Sequence, residues 1–171
     1  MKWTNNKTIL ITGATNGIGK AAAINFAESA KSIAFTYRNE ELAEDLKNEM
    51  QKINPNLLIN SFFCDFSVQD SIRECADKIK NDLKAIDLLI NNAGVVNTEY
   101  SETIDGIENT FAVNHLGYFL FTNLLLDLVK KESESRIINV SSAAHHFVKG
   151  MQWDDINSVS YTHLTLPTIL S

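Results

Sequence analysis

Three closely spaced glycines follow the first apolar run of the chain and could hold a phosphate group. The run at residues 8–12 is TILIT, and the turn after it contains Gly13, Gly17 and Gly19. Glycine allows a tight turn, a close approach of the backbone to a diphosphate, and close packing of a helix on a strand. A helix that begins near Gly17 would direct free N–H groups at the phosphates. The alternative is a chance cluster of glycines in a loop, and the position between a strand and a helix favours the nucleotide site.

The histidine and cysteine residues do not form a metal-binding pattern. His145 and His146 are adjacent, so their side chains point apart on a strand or in a loop, and no carboxylate or cysteine lies nearby at ligand spacing. Cys64 and Cys75 match no metal motif and are too few for a disulfide framework. We therefore predict no metal site, two inert thiols and a reducing, cytoplasmic environment.

Short apolar runs alternate with longer segments of helical period along the chain. The apolar runs are predicted strands at residues 8–12, 32–37, 57–63, 87–91 and 136–140. Between them, apolar residues recur at intervals of three and four, as in helices that pack one face on a core. Strands with consecutive apolar residues are buried on both faces, so we predict an α/β fold with a parallel sheet and helices on either side.

Helix boundaries and apolar stripes are also predicted. Ser67 can cap the third helix with its side-chain oxygen. Residues 101–131 are expected to form one long helical region. In the first helix, Ile18 begins an apolar face that repeats every four residues. The long helical region carries apolar residues first at Ile104, Ile107 and Phe111, and then at Leu116, Leu120 and Leu124.

The overall composition is that of a single globular domain and argues against several classes of protein. The chain has 171 residues, of which 44% are hydrophobic and 21% charged. Its net charge of −6 argues against a nucleic-acid-binding groove or a surface for anionic membranes, since both need a basic face. No apolar run approaches the roughly 18 residues of a membrane helix, and the polar start is unlike a signal peptide, so we expect no transmembrane segment.

Four motifs follow the predicted elements in the order found in a known family. They are TGATNGIG at residues 12–19, NNAG at residues 91–94, VNHLG at residues 113–117 and INVSS at residues 138–142. The glycine spacing resembles the TGxxxGxG fingerprint of short-chain dehydrogenases/reductases and differs from the TGxxGxxG of sugar-nucleotide epimerases and dehydratases. Over residues 7–158 the chain is most similar to the retinol-dehydrogenase-like branch. This resemblance implies a Rossmann-type doubly wound parallel sheet with about five of the family's seven strands, in an incomplete NAD(P)-binding domain over residues 1–158.

The resemblance also implies which residues bind the cofactor. Asp65 would face the adenine amino group with Phe66 beside it, and small residues after the fourth strand would line the adenosine side. The implied cofactor-binding residues are Gly13, Thr15, Asn16, Gly17, Ile18, Gly19, Arg38, Asp65, Phe66, Asn92, Ala93 and Gly94. The residues alone leave two alternatives open, since Asp65 could merely precede a helix and Gly94 could be only a turn residue.

The choice between NADP(H) and NAD(H) depends on the end of the second strand. An acidic residue there accepts hydrogen bonds from a ribose 2′-OH, whereas a basic residue suits a 2′-phosphate. This chain has Arg38, whose planar guanidinium can pair with a phosphate. Asn16 weakens the argument, because many NADP-preferring relatives carry a basic residue there. We predict NADP(H), with NAD(H) as the alternative cofactor and a surface arginine as the alternative role of Arg38.

The catalytic residues that the resemblance implies are only partly present. Ser142 would donate a hydrogen bond to the substrate oxygen, and Asn114 would hold a water in a proton relay. The family also needs a tyrosine followed four residues later by a lysine that lowers the pKa of the tyrosine. A free tyrosine has a pKa of about 10, so only about one in a thousand is ionised at pH 7. Tyr161 is the only tyrosine after Ser142, and Thr165 occupies the lysine position.

The final residues depart abruptly from the family pattern. Residues 159–171 look like a translated transposase sequencing adapter, so we expect them to be a non-native tail. Their threonines and interior proline make a poor helix, which is a second reason to reject Tyr161 as the catalytic base. We expect the catalytic helix and two further strands to be absent, which leaves the fifth strand as an exposed apolar edge.

The sequence therefore predicts an NADP(H)-dependent oxidoreductase for a small-molecule alcohol, aldehyde or ketone, in a chain that is itself inactive or nearly so. The alternative is a non-catalytic NADP(H)-binding sensor or scaffold, since binding without turnover fits the missing tyrosine–lysine pair equally well. We expect no nucleic-acid partner, and the resemblance leaves a homodimer open for the intact protein.

Overall fold

Five parallel strands form one sheet in the computed structural model, which describes residues 3–97, 99–131, 134–143 and 153–155. The strands are β1 (Thr8–Ile11), β2 (Ser32–Tyr37), β3 (Leu58–Phe63), β4 (Leu88–Asn91) and β5 (Arg136–Asn139). Their order in the sheet is β3-β2-β1-β4-β5, and every adjacent pair is parallel. The chain thus crosses from β3, at one edge, to β4 on the far side of β1. This reversal is the Rossmann-type doubly wound topology, and it confirms the predicted fold class.

Helices connect the strands and cover both faces of the sheet. They are α1 (Gly17–Ala27), α2 (Glu40–Ile53), α3 (Gln69–Asp82), α4 (Asn109–Phe111), a π-helical turn (Ala112–Leu116), α5 (Gly117–Val129) and a 3₁₀ turn (Trp153–Asp155). We call the continuous helix Asn109–Val129, made of α4, the π-helical turn and α5, the long helix. Helices α1 and α2 pack on one face, while α3 and the long helix pack on the other.

The central strands supply alternate residues to two separate cores. Leu10 of β1 faces α3 and the long helix, whereas its neighbours Ile9 and Ile11 face α1 and α2. All three side chains are fully buried. Because successive side chains of a strand point to opposite faces, a strand covered by helices on both sides must be apolar at every position. The run of apolar residues in β1 therefore reflects its place in the middle of the sheet.

The long helix begins later than the sequence predicts. Residues 101–108 form a loop, closed by a 2.8 Å hydrogen bond from Thr103 N to Ile107 O. Gly106 in this loop has φ +71°, a left-handed conformation that does not continue a helix. Glu108 then caps the helix, since its carboxylate accepts from the backbone N of Thr110 at 2.8 Å. The predicted helical start at residue 101 was therefore wrong.

The π-helical turn moves the buried face of the long helix by one residue. The sequence predicts an apolar stripe at Leu120 and Leu124, which are only partly buried against the core. The fully buried residues are Phe121 and Leu125, one position further on. A π-helical turn contains one residue more than an α-helical turn, and one residue corresponds to about 100° of rotation. The simple four-residue period cannot anticipate this shift.

Helix α3 is capped by a residue distant in the sequence. It begins at Gln69, whose backbone N donates to Asp105 Oδ2 at 2.9 Å. Ser67 does not cap it, because Val68 is the N-cap residue and Ser67 lies one position before it. The prediction of Ser67 as a cap was wrong, since its N–H and hydroxyl instead form a local turn by donating to Asp65 Oδ1.

The β5 strand is one edge of the described sheet. Its Ile137 and Ile138 are 38% and 46% exposed, as the sequence predicts for an apolar edge. Among the described residues, the long helix is the one helix that is long and apolar enough to cross a membrane. Core helices often meet that criterion, and the absence of a transmembrane segment stays a prediction.

Candidate functional site

A cavity of about 380 Å³ lies at the carboxyl ends of the strands, where ligands bind in open α/β sheets. Its lining residues lie at or after the carboxyl ends of the strands, and each of the five strands contributes. They are Gly13, Thr15, Asn16, Ile18, Thr36, Tyr37, Arg38, Asn39, Leu42, Cys64, Asp65, Phe66, Asn92, Ala93, Gly94, Val95, Val113 and Val140. Ten of the twelve residues predicted to bind the cofactor are in this lining, and Gly17 and Gly19 are not. The cavity groups the predicted residues, and their cofactor contacts stay predictions.

The glycines of the first turn are required by its geometry. Gly13 has φ +63°, and a Cβ added to it would lie 2.8 Å from the Cα of Ala93. A Cβ on Gly19 would lie 2.5 Å from both Gly13 O and Asn92 Nδ2. Gly17 has φ +52°, yet a Cβ there would meet nothing within 4 Å. Crowding thus demands glycine at positions 13 and 19, whereas backbone conformation alone favours it at position 17.

Two buried threonines and the half-buried Asn92 hold this turn in place. Thr12 Oγ1 accepts from the backbone N atoms of Asn92 and Ala93 at 2.8 and 2.9 Å. The Asn92 side chain in return donates to the carbonyl oxygens of Thr12 and Gly13, at 2.9 and 3.0 Å. Gly13 N donates to Thr36 Oγ1 at 3.1 Å. These bonds fix the turn before any ligand binds and use two of its carbonyl groups.

The start of α1 can bind an anion. Asn16 is the N-cap residue, and the first helical hydrogen bond runs from Lys20 N to Asn16 O at 3.0 Å. The backbone N–H groups of the residues between them have no partner within the helix, and the first turn carries no acidic side chain. Asn16 and Ile18 both line the cavity, so this helix end lies at its border.

Ile18 and Leu42 are exposed apolar residues at the cavity. Ile18 is 70% exposed, so the prediction that it begins the buried face of α1 was wrong. Its side chain lines the cavity and takes no part in the core between α1 and the sheet. Leu42 is 40% exposed in the first turn of α2, and the sequence analysis did not identify it as a cavity residue. Both residues can cover a bound ligand with apolar surface.

The charged residues of the cavity follow β2 and β3. Arg38 is exposed and directly follows β2, while the next residue, Asn39, caps α2 by accepting from Leu42 N at 3.1 Å. Asp65 follows β3, and Ser67 donates to its Oδ1 twice, from N at 2.9 Å and from Oγ at 2.7 Å. The backbone N of Asp65 donates to Ser71 Oγ at 2.9 Å. The carboxylate therefore has a defined orientation.

Asn114 and Ser142 are close in the chain to two residues that line the cavity. Asn114 lies in the π-helical turn and binds the backbone of Val95 twice, accepting from N at 2.9 Å and donating to O at 2.8 Å. These bonds tie the long helix to the loop after β4. Ser142 is exposed and follows β5. Neither side chain lines the cavity, although the neighbouring Val113 and Val140 do.

The remaining predicted groups add no reactive thiol or metal ligand set among the described residues, although Cys64 lines the cavity. Cys64 and Cys75 are buried, and their mutual hydrogen bond, followed by burial, raises the pKa of the Cys64 thiol above its usual range. A raised pKa disfavours the thiolate, which is the reactive form. No cluster of three potential metal ligands occurs among the residues that the structure describes. His145, His146 and Tyr161 lie outside the described residues, as does the predicted tail at residues 159–171.

Sequence reasoning missed the two threonines that support the turn and the valines of the lining. Thr12 and Thr36 are buried polar residues at the ends of β1 and β2. The valines are Val95, Val113 and Val140. Each threonine stands at the carboxyl end of a predicted strand, and that position was the available signal, since parallel strands bring such ends together.

Known proteins share both the sequence and the fold. The family model described as short chain dehydrogenase matches residues 7–153. Retinol dehydrogenase 13 from Homo sapiens is 43% identical over 152 residues, which cover 88% of this chain and 45% of the relative. The chain spans about half the length of the curated relatives it matches.

Two solved structures have a similar fold over most of this chain. An uncharacterized protein from Mycobacterium Paratuberculosis is 31% identical with a TM-score of 0.73, over 92% of this chain and 53% of that one. An NAD+-bound xylitol dehydrogenase is 26% identical with a TM-score of 0.71, over 93% of this chain and 59% of that one. The chain therefore belongs to the short-chain dehydrogenase/reductase family and is similar to its retinol dehydrogenases.

Proposed function

We propose that this chain binds NADP(H) in the cavity at the carboxyl ends of the strands. The observation that carries the proposal is the turn after β1, where Gly13 and Gly19 leave no room for a side chain. Next to it, the unpaired N–H groups at the start of α1 favour a negatively charged group. A diphosphate that lies on this turn satisfies those N–H groups.

Arg38 supports NADP(H) over NAD(H). The residues at the end of β2 are Tyr37, Arg38 and Asn39, so no carboxylate is placed there to accept from a ribose 2′-OH. Arg38 is exposed at the border of the cavity, where its guanidinium can pair with a 2′-phosphate. Family membership supports a nicotinamide dinucleotide of either kind, since the related xylitol dehydrogenase binds NAD+. The preference rests on Arg38 alone.

The test is a pair of fluorescence titrations with NADPH and NADH. The unaltered chain should bind NADPH more tightly, and Arg38→Ala should lose roughly tenfold or more of its NADPH affinity, as expected for a hydrogen-bonded charge. NADH affinity should not change. Arg73→Ala is the matched control, because Arg73 is exposed on α3 and does not line the cavity. Equal affinities for the two cofactors would refute the preference.

We infer that the whole protein oxidises an alcohol or reduces the corresponding carbonyl compound. The nicotinamide of the cofactor supplies or accepts the hydride. Ser142, after β5, can donate a hydrogen bond to the substrate oxygen, and Asn114 holds the loop after β4 against the long helix. Similarity to retinol dehydrogenases favours a retinoid or another apolar alcohol or aldehyde.

The chain as it stands is proposed to bind the cofactor without appreciable turnover. Lowering a tyrosine pKa from about 10 to about 7 takes roughly 4 kcal/mol of preferential stabilisation of the phenolate, which a neighbouring ammonium group can supply. Thr165 occupies the position of that lysine relative to Tyr161. Purified chain should bind NADPH yet fail to oxidise it with aldehydes or ketones, and oxidation at ordinary enzymatic rates would overturn this proposal.

The missing tyrosine–lysine pair also favours a second candidate function, a non-catalytic NADP(H)-binding sensor or scaffold. The DNA downstream of codon 158 distinguishes the oxidoreductase from the binding protein. A reading frame that continues after codon 158 into a Tyr-x-x-x-Lys helix supports the oxidoreductase, and an intact gene that encodes the present tail followed by a stop supports the binding protein.

A further inference from the structure

Ser67 makes two contacts to the cavity residue Asp65 that its predicted role as a helix cap does not explain. Its N–H and its hydroxyl both donate to the same oxygen of Asp65, at 2.9 and 2.7 Å. We propose that Ser67 is a positioning residue that sets base selectivity, because it turns the free oxygen of Asp65 toward an adenine. The inference rests on the proposed dinucleotide binding.

The topology of the sheet decides which half of a dinucleotide meets Asp65. A diphosphate on the turn after β1 sits at the middle of the sheet. Asn114 and Ser142 lie on the β4–β5 side, so the reacting half of the ligand must extend that way. The adenosine half must then extend over β2 and β3, where Asp65 lines the cavity.

The contacts of Asp65 leave one carboxylate oxygen for a ligand. Both donations from Ser67 go to Oδ1, and among the described residues no donor is found on Oδ2. The main chain is held as well, since Asp65 N donates to Ser71 Oγ on α3 at 2.9 Å. The side chain has only two torsions, and the two bonds from Ser67 together restrain both. The carboxylate is therefore oriented before the ligand arrives.

An oriented carboxylate distinguishes adenine from hypoxanthine. Adenine carries an exocyclic amino group, which donates to a carboxylate oxygen. Hypoxanthine carries a carbonyl oxygen at the same position, and two facing acceptors repel each other. A site that sets an oriented acceptor opposite the carbonyl of the wrong analogue therefore binds that analogue more weakly. If Asp65 could rotate freely, it would turn away from the carbonyl, and the discrimination would weaken.

The rival explanation is that Ser67 only closes the local turn between β3 and α3. Loss of such a turn would weaken the fold, and with it the binding of both nucleotides, by the same factor. Loss of a positioning contact changes the ratio of the two affinities. The readout is therefore the Kd of nicotinamide hypoxanthine dinucleotide phosphate, in its reduced form, divided by the Kd of NADPH.

The experiment measures this ratio by fluorescence titration on the full chain. The unaltered chain should give a ratio of about ten or more, and Ser67→Ala should lower it about three- to fivefold, which is the order of an off-rotamer cost. Ser67→Thr keeps the hydroxyl and should restore the ratio. Asp65→Asn, whose amide can donate to the hypoxanthine carbonyl, should lower the ratio most. Ser101→Ala, at an exposed loop serine, is the matched control and should leave it unchanged.

The outcomes separate this inference from the proposed function. If the unaltered chain binds neither nucleotide, the proposed function fails and the inference fails with it. If it binds both equally, or if Ser67→Ala or Asp65→Asn keeps the original ratio, the inference alone is overturned. A threonine variant that behaves like the alanine variant also overturns it. Circular dichroism checks folding, and Ser67→Cys, with its weaker donor, replaces Ser67→Ala should that variant fail to fold.

Discussion

A charge placed at position 17 should change folding and cofactor binding in opposite directions. Gly17 is the first residue of α1, and a Cβ there would meet nothing within 4 Å. Its φ of +52° is a conformation that asparagine and aspartate tolerate better than other side chains. Gly17→Asp and Gly17→Asn are thus a matched pair that differ in one charge, and any backbone strain is common to both.

The magnitudes follow from the helix end and from Coulomb's law. The first turn of α1 has no acidic residue, so an aspartate there should interact favourably with the helix dipole. The free energy of unfolding of Gly17→Asp should therefore be about 0.5 kcal/mol larger than that of Gly17→Asn. A carboxylate about 8 Å from a phosphate charge, at an effective dielectric constant of about 20, costs about 2 kcal/mol. This corresponds to about a 30-fold higher Kd for NADPH in the aspartate variant.

The assay combines urea unfolding with NADPH titration for the two variants. The affinity difference should shrink in 1 M salt, where the Debye length falls to about 3 Å. Equal NADPH affinities at low salt would refute the placement of the diphosphate at this helix end. A loss of affinity that matched a loss of stability would show that the charge acts on the fold instead.

Three further predictions concern the stability of the fold, and two of them compare a substitution with a control. Gly13→Ala should cost about 2–4 kcal/mol in urea unfolding, because crowding adds to its positive φ, and Gly17→Ala only about 1–2 kcal/mol; equal losses would contradict the crowding argument. Asn114→Ala removes two hydrogen bonds and should cost about 2 kcal/mol, while Asn123→Ala, on an exposed face, should cost less than about 0.5 kcal/mol. Burial lowers the pKa of His115, so the unfolded chain binds a proton that the folded chain does not, and stability should fall as the pH drops below about 6.5. His115→Gln should flatten that decline, and an unchanged slope would exclude His115 as its source.

The sheet and most of the cavity could be predicted from the sequence. The β2 strand has the predicted bounds, because it is buried on both faces and its centre, Ile33 to Phe35, is a continuous apolar run. The cavity follows from the same argument, since polar residues and glycines directly after parallel strands meet at one edge. Arg38 and Asp65 are examples, each at the end of a different strand.

The errors arose where contacts distant in the sequence decide the local structure. Helix α3 is capped by Asp105, which follows Gln69 by 36 residues, and no local pattern points to it. The π-helical turn around Asn114 is tied to Val95 of another loop, and it shifts every later buried position of the long helix. Ile18 is apolar and exposed because it faces a cavity, which periodicity cannot distinguish from a core.

The most direct test of the central claim is hydrogen exchange of the backbone amides at residues 13–20, measured with and without saturating NADPH. A diphosphate held by main-chain N–H groups should slow exchange in this segment by about tenfold or more, with little change on the exposed face of α3. Saturable NADPH binding that left these amides exchanging at their original rate would contradict the claim, as would the absence of any binding.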